Sequence, residues 1–183
     1  LVEKFGKREN IDEAELKQIG TKSMGADLSD DDMKTIQIYA SEIVRLYKLR
    51  EDLSKYLEKL MQELAPNIDI LTGSALGAKL ISKAGGLQKL ARMPSSTVQL
   101  IGAEKALFRF LHGKGKSPRH GLIFAHPMIQ NAPDEQRGKV ARTLASKLSI
   151  AAKMDYYSKE YKGDKLKKEL EERVKEILKS SKI

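Results

Sequence analysis

Ile36–Leu64 reads IQIYASEIVRLYKLREDLSKYLEKLMQEL, and the spacing of its apolar residues decides the fold class. Ile36, Ile43, Leu57 and Leu64 occupy one position of a seven-residue repeat, and Tyr39, Leu46, Leu53 and Leu60 occupy the other. Arg50 alone interrupts it. A 3.5-residue period sustained this long keeps one apolar seam on one side of a helix, the pattern of a coiled coil. Ser29 or Asp30 is placed to cap the start, Asp30, Asp31 and Asp32 suit the positive end of the helix dipole, and Pro66-Asn67 stops it. A helix of about 35 residues spans roughly 50 Å at the standard rise. Its seam needs cover. The segment Ile11–Ile19 can return along it but is short, so the pattern predicts a second copy of the chain, a further N-terminal segment, or both. The other reading is a single amphipathic helix packed on a globular body.

Outward from the rod, residues 71–155 are rich in small side chains at helical spacing (Gly73, Ala75, Gly77, Ala78, Ala84, Gly85, Gly86), which let helices approach closely. Met93-Pro94-Ser95-Ser96 breaks one helix and offers Ser95 as the cap of the next; GKGKSPRH (Gly113–His120) is a loop by composition. Thr97–Ile101 and Leu122–Phe124 are short apolar runs that periodicity leaves open between strand and helix, the first leaning helical. Asp134–Tyr157 predicts a helix with Val140, Leu144, Leu148, Ala151 and Ala152 on its apolar face. From Lys162 a charged helix follows, with Leu166, Leu170, Val174, Ile177 and Leu178 on one side.

Charge is distributed unevenly. Residues 1–70 hold 11 Lys/Arg against 15 Asp/Glu, residues 71–155 hold 14 against 4, and residues 156–183 hold 9 against 6. The whole excess behind the net +9 therefore gathers in and after the middle segment, where a polyanion would dock. The absence of Cys excludes a disulfide framework, a thiolate metal site and a Cys nucleophile. No apolar run approaches the roughly 18 residues of a membrane span, and no signal peptide is visible. His112, His120 and His126 fit no common zinc spacing, and the four scattered carboxylates of the middle segment offer no acid–base pair. Gly113–Ser117 (GKGKS) lacks phosphate-loop spacing, and Pro118 blocks the helix that should follow. An enzyme thus has little to stand on, and no cofactor or metal is expected. Candidate RNA contacts are Arg92, the loop cations Lys114, Lys116 and Arg119, and Arg137, Lys139 and Arg142 on the 134–157 helix. The competing reading is a structural coiled-coil adaptor whose basic body is merely a solvated face.

SMGADLSDDD (Ser23–Asp32), LAPNI (Leu64–Ile68), GAKLISKAGGLQKLARMPSSTVQLIGAEKALFRFL (Gly77–Leu111), SPRHGLIF (Ser117–Phe124) and RGKVARTLASKLSIAAKMDYY (Arg137–Tyr157) carry a resemblance that covers nearly everything from Lys22 onward. They resemble the Nop family, core proteins of box C/D ribonucleoproteins with a pre-mRNA splicing relative that binds a spliceosomal small nuclear RNA. The resemblance implies an all-α chain: long coiled-coil helices (1–70, N-terminally truncated, since the chain starts at Leu1), a compact helical Nop-type RNA-binding domain (71–160) and a charged C-terminal helix (161–183). It implies a non-catalytic scaffold that binds a box C/D guide RNA at a kink-turn jointly with a kink-turn-binding ribosomal-type protein. Such a scaffold supports 2′-O-methylation of ribosomal RNA, with transfer RNA as a further target, by a fibrillarin-type methyltransferase held through an N-terminal domain not seen here. Self-dimerisation is expected through Ile36, Tyr39, Ile43, Leu46, Leu53, Leu57 and Leu60.

By the same resemblance, Arg92 matches a basic position at the RNA. Arg119 falls where the splicing relative stacks a ring on a flipped base. Ser95, Thr97, Gln99, Lys105, Lys114, Lys116, His120, Gln136, Arg137, Lys139 and Arg142 complete the expected RNA face. Gly102, Ala103 and Glu104 are expected against the kink-turn protein, and Leu107 and Phe108 in the core. Without a long Lys/Asp/Glu tail the chain resembles an archaeal, cytoplasmic member; a eukaryotic one would be nucleolar.

Overall fold

The computed structural model describes residues 1–22, 24–25 and 28–179. Positions 23, 26 and 27 of the Ser23–Asp32 motif, residues 180–183 and the side chains of Arg8, Glu15, Ile19 and Thr21 lie outside the described residues. Every regular element among the described residues is helical, with no strand. The chain divides into two compact units, Leu1–Ser54 and Lys55–Ile183.

The first unit holds a short α1 (Val2–Phe5), a 3₁₀ turn (Arg8–Asn10), α2 (Ala14–Thr21) and most of α3 (Asp30–Leu64), a single 35-residue helix. Ser29 caps α3: its Oγ accepts from the Asp32 amide at 3.2 Å and donates to the Asp32 carboxylate at 2.5 Å. Lys4–Glu13 and Lys7–Asp30 ion pairs tie the short N-terminal turns together and to the start of α3. The seam stays open in this unit. Ile36, Tyr39, Ile43, Leu46 and Leu53 are all exposed, Tyr39 to 70%. At eight residues, α2 is too short to cover them.

The second unit is the body. It contains the last turns of α3, then α4 (Pro66–Thr72), α5 (Ser74–Ala84), α6 (Leu87–Arg92), α7 (Ser95–Leu100), α8 (Glu104–Leu111), a 3₁₀ turn (Leu122–Ala125), α9 (Pro127–Gln130), α10 (Asp134–Lys153), a π turn (Met154–Ser158) and α11 (Gly163–Lys179). Both undecided runs are thus helical. Ser95 begins α7 without capping it; Pro94 takes the cap position, its fixed φ leading into the first turn.

Helix α10 is the hub, packed against α4, α6, α7, α9 and α11. Its buried face runs Val140, Ala141, Leu144, Ala145, Leu148, Ala151 and Ala152, and the four alanines among them let neighbouring helices come close. Leu166, Leu170 and Val174 of α11 are buried as well, so the charged C-terminal helix is part of the body. The units divide at 54/55, inside α3.

One buried polar knot closes the body. Pro66 starts α4 at a position whose missing N–H costs nothing. The Asp155 carboxylate, 4% exposed, caps that helix from the π turn, accepting from Asn67 N (3.0 Å), Asn67 Nδ2 (2.6 Å) and Ile68 N (2.9 Å). Asn67 Nδ2 also donates to Glu160 O (3.0 Å), and Asn67 Oδ1 accepts from Lys162 N (2.7 Å). Burial raises the Asp155 carboxyl above its ordinary value, against the three donors that favour its ionised form. A second buried group, His126, accepts from Met128 N through Nδ1 (3.2 Å) and donates from Nε2 to Leu71 O (3.0 Å). That pair of bonds requires the neutral ring with its proton on Nε2. Burial holds its pKa below the usual histidine value.

Candidate nucleic-acid interface

The loop after α8 returns along the end of α7, and backbone contact holds it there. Gln99 O accepts from Gly121 N at 2.8 Å, Ile101 O accepts from Leu122 N at 2.7 Å, and Gln99 Nε2 donates to Arg119 O at 2.6 Å. A Cβ on Gly121 would stand 2.0 Å from Ile101 O, so only glycine permits this approach. Gly102 has φ +88°, and a Cβ there would meet Leu122 Cγ at 2.6 Å. The two glycines thus fix where Arg119 and His120 emerge.

Rings and guanidinium groups then stack. His120 lies parallel to Phe124, with centroids 4.4 Å apart and 11° between planes. The Arg137 guanidinium carbon sits 5.8 Å from the Phe124 centroid. Burial, followed by repulsion from Arg137 and Arg119, lowers the His120 pKa. Arg119 Nη1 donates to Asp134 O at 3.3 Å, joining the loop to the first turn of α10.

Seven expected contacts, Arg92, Lys105, Lys114, Lys116, Arg119, Lys139 and Arg142, are exposed. None forms an ion pair with a carboxylate among the described residues. Arg92 ends α6, Lys139 and Arg142 lie on α10, and α10 packs on both α6 and α7. Ser95 and Thr97 stand on α7 in the same packed group. Arg137 is differently employed. Its Nε donates to Ala132 O (3.1 Å), Nη2 to Gln130 O (3.3 Å) and Nη1 to the Asp134 carboxylate (2.5 Å), which closes the turn before α10. Gln136 is buried at 4% exposure, because its place in the first turn of α10 faces inward, and its Oε1 has no partner among the described residues.

Gly102 and Glu104 are exposed and Ala103 half-buried, at the entry to α8. The Glu104 carboxylate accepts from Gly102 N at 2.8 Å; that amide and its own hold its pKa below the usual carboxylate value. No residue of α8 is buried. Phe108, expected in the core, is 63% exposed, and Leu111 and Phe110 are exposed beside it. Eight residues on a short arm between Gly102 and Gly113 have too little neighbouring structure to cover three large side chains. Composition missed this apolar tip, although two glycines bracketing an amphipathic octet signalled a projecting element.

Comparison with known proteins fits this layout. Residues 1–176 match the family model described as Nop: snoRNA binding domain, fibrillarin. The chain belongs to the Nop family. An uncharacterized NOP5 family protein of Methanocaldococcus jannaschii is 49% identical over 189 residues, covering 97% of this chain and 45% of that one. Nucleolar protein 56 of Homo sapiens is 43% identical over 155 residues, covering 83% of this chain and 26% of the relative. The crystal structure of a fibrillarin/Nop5p complex contains a chain that superposes with a TM-score of 0.65 at 34% identity, covering 89% of this chain and 59% of that one. This Nop chain therefore spans less than half the length of these curated relatives.

Proposed function

We propose that this chain is the RNA-gripping part of a non-catalytic box C/D ribonucleoprotein scaffold. One observation carries the reading: seven exposed cations on the body lack any carboxylate partner among the described residues. Unneutralised Lys and Arg gain most from phosphate, because each contact releases condensed counterions. The rigid α7–loop junction presents Arg119 and His120 without a large ordering cost. Membership of a family described as snoRNA-binding supports an RNA as the polyanion. The neighbouring fibrillarin/Nop5p complex supports a fibrillarin-type methyltransferase as the catalytic partner, engaged through parts of the full-length protein beyond this segment.

In this reading the RNA is a kink-turn already held by a small ribosomal-type protein, and the Gly102–Ala103 turn with the apolar tip of α8 abuts that protein. The open α3 seam supplies self-association. Site of action is the nucleolus in eukaryotes and the cytoplasm in archaea. A gel shift with kink-turn RNA, with and without the small protein, tests the proposal. Binding should be weak to bare RNA and at least tenfold tighter to the preassembled complex, and Arg92→Ala or Arg119→Ala should weaken it without unfolding the chain. Equal affinity in both lanes would remove the composite surface. No salt-dependent binding in either lane would leave the adaptor reading.

A further inference from the structure

A cavity of about 340 Å³ opens between the end of α5, α7 and the start of α8. Its floor is apolar: Met93, Leu100, Ile101 and Leu107. Its polar lining consists of Lys83, Ser96, Thr97 and Glu104. That volume lies within the range of small-ligand sites, and an apolar floor with a few convergent polar groups is their usual make-up. The Ser96 and Thr97 hydroxyls are exposed at its mouth and bond no other described residue, so both are accessible to a ligand edge. Glu104 is held in place and ionised by the Gly102 amide and its own, and a carboxylate has lone pairs beyond the two that these bonds use. Lys83 forms no ion pair within 4.0 Å among the described residues, yet its charge helps keep the Glu104 carboxyl ionised.

We infer that this cavity takes one unpaired nucleobase, with its phosphate at Lys83 and its hydrogen-bonding edge at Glu104. The inference rests on the RNA reading above and adds a base-selective element to it. A flat heterocycle gains from an apolar floor, and its edge needs polar partners, which the hydroxyls and carboxylate supply. A carboxylate only accepts hydrogen bonds. Guanine offers it two adjacent donors, N1–H and the 2-amino group. Adenine and cytosine offer one amino group each. Uracil flanks its single N3–H with two carbonyl oxygens that repel the carboxylate. The expected order is guanine first, adenine and cytosine next, uracil last. An apolar protein side chain would use the same floor but none of the polar lining.

The test uses this chain and four single-stranded heptamers, UUUXUUU with X as G, A, C or U, read by fluorescence anisotropy at low salt. The wild type should bind X = G about tenfold tighter than X = U, the discrimination typical of one good base-edge contact. Glu104→Gln keeps an acceptor for Gly102 N but removes the charge, and should reduce that ratio below about twofold with an unchanged melting temperature. Lys83→Ala should weaken all four alike and lower the log–log salt slope by about 0.7 to 1. Ser96→Phe, which fills the mouth, should also erase the discrimination. Equal wild-type affinity for all four heptamers, or discrimination that survives Glu104→Gln, overturns the inference. So does a Ser96→Phe chain that still discriminates bases but loses the small kink-turn protein, because the cavity would then seat a protein side chain. Failure here with a normal kink-turn gel shift removes only the base pocket; failure of both removes the RNA reading itself.

Discussion

Along α3, 35 residues contribute one buried side chain, Met61, whereas the 20 residues of α10 bury nine. Charge differs in balance. Among the described residues each unit pairs four cations with carboxylates: Lys4, Lys7, Lys34 and Arg45 in the first, Arg137, Lys147, Lys162 and Arg173 in the body, where seven further cations of the candidate interface face none. One unit turns its apolar side chains outward, while the other closes its apolar side chains inward and keeps an excess of positive charge outside. The difference separates two kinds of association. Apolar seams gain from removing surface from water, which salt scarcely screens. Cationic faces gain from phosphate, which salt screens strongly.

The comparison breaks most visibly in the response to a deleted leucine. Leu144, fully buried at the centre of α10, should cost about 2–5 kcal/mol on change to Ala, since the packed helices around it cannot collapse into the void. Leu46 is exposed on α3, and Leu46→Ala should cost less than about 0.5 kcal/mol in dilute solution, as surface changes do. The same Leu46→Ala should weaken self-association at high concentration. Urea unfolding and sedimentation equilibrium read the two effects. A large loss of dilute stability from Leu46→Ala would mean that the seam is already covered within one chain.

A smaller effect is expected where the body buries polar groups. Asp155→Asn retains one acceptor for the amides of α4 and orphans another donor, a cost of about 1–3 kcal/mol at the acid end, where the wild-type contribution is complete. The pH dependence has a definite sign. Because the folded carboxyl titrates above its ordinary value of 3.8, the folded state holds its proton over a range where the unfolded chain has released it. Its contribution is complete below the unfolded value and is lost as pH rises through the folded one. Wild-type stability minus that of Asp155→Asn should therefore fall as pH rises through that window. Urea melts between pH 3.5 and 7 would show it, and a difference that rises instead would mean that the three N–H donors outweigh burial.

How far the sequence led depends on the same contrast. The α3 repeat is legible because a seam with a fixed period writes itself into the chain over four heptads, whatever covers it. The apolar face of α10 is legible for the same reason. Asp155 is not: its partners Asn67 and Ile68 lie 88 and 87 residues away, and nothing local distinguishes a buried capping carboxylate from a surface one. Gln136 and Arg137 look like free surface in a basic helix, yet one is turned into the body and the other spends its donors on carbonyls of the preceding turn. Phe108 shows the converse, since an apolar residue type says nothing of whether enough structure surrounds it. The cations Lys114, Lys116 and Arg119 were readable as a group because glycines and Pro118 mark a loop, where long side chains have few carboxylates within reach.

The finest distinction between the units concerns single charges. Removing Lys114 or Lys116 should lower affinity for the RNA–protein complex by less than about tenfold at physiological salt and reduce the log–log salt slope by about one each. Lys34→Ala and Arg45→Ala, which remove cations already facing Asp31 at 3.6 Å and Glu42 at 3.8 Å, should leave the slope unchanged. Both pairs are exposed, so their loss should also leave stability nearly untouched. Titrations at three or more salt concentrations separate the cases, because a general charge effect would shift all four variants together by long-range attraction. A slope that falls equally for rod and body variants would mean that phosphate meets α3 as well, and the division of labour between the two units would fail at that point.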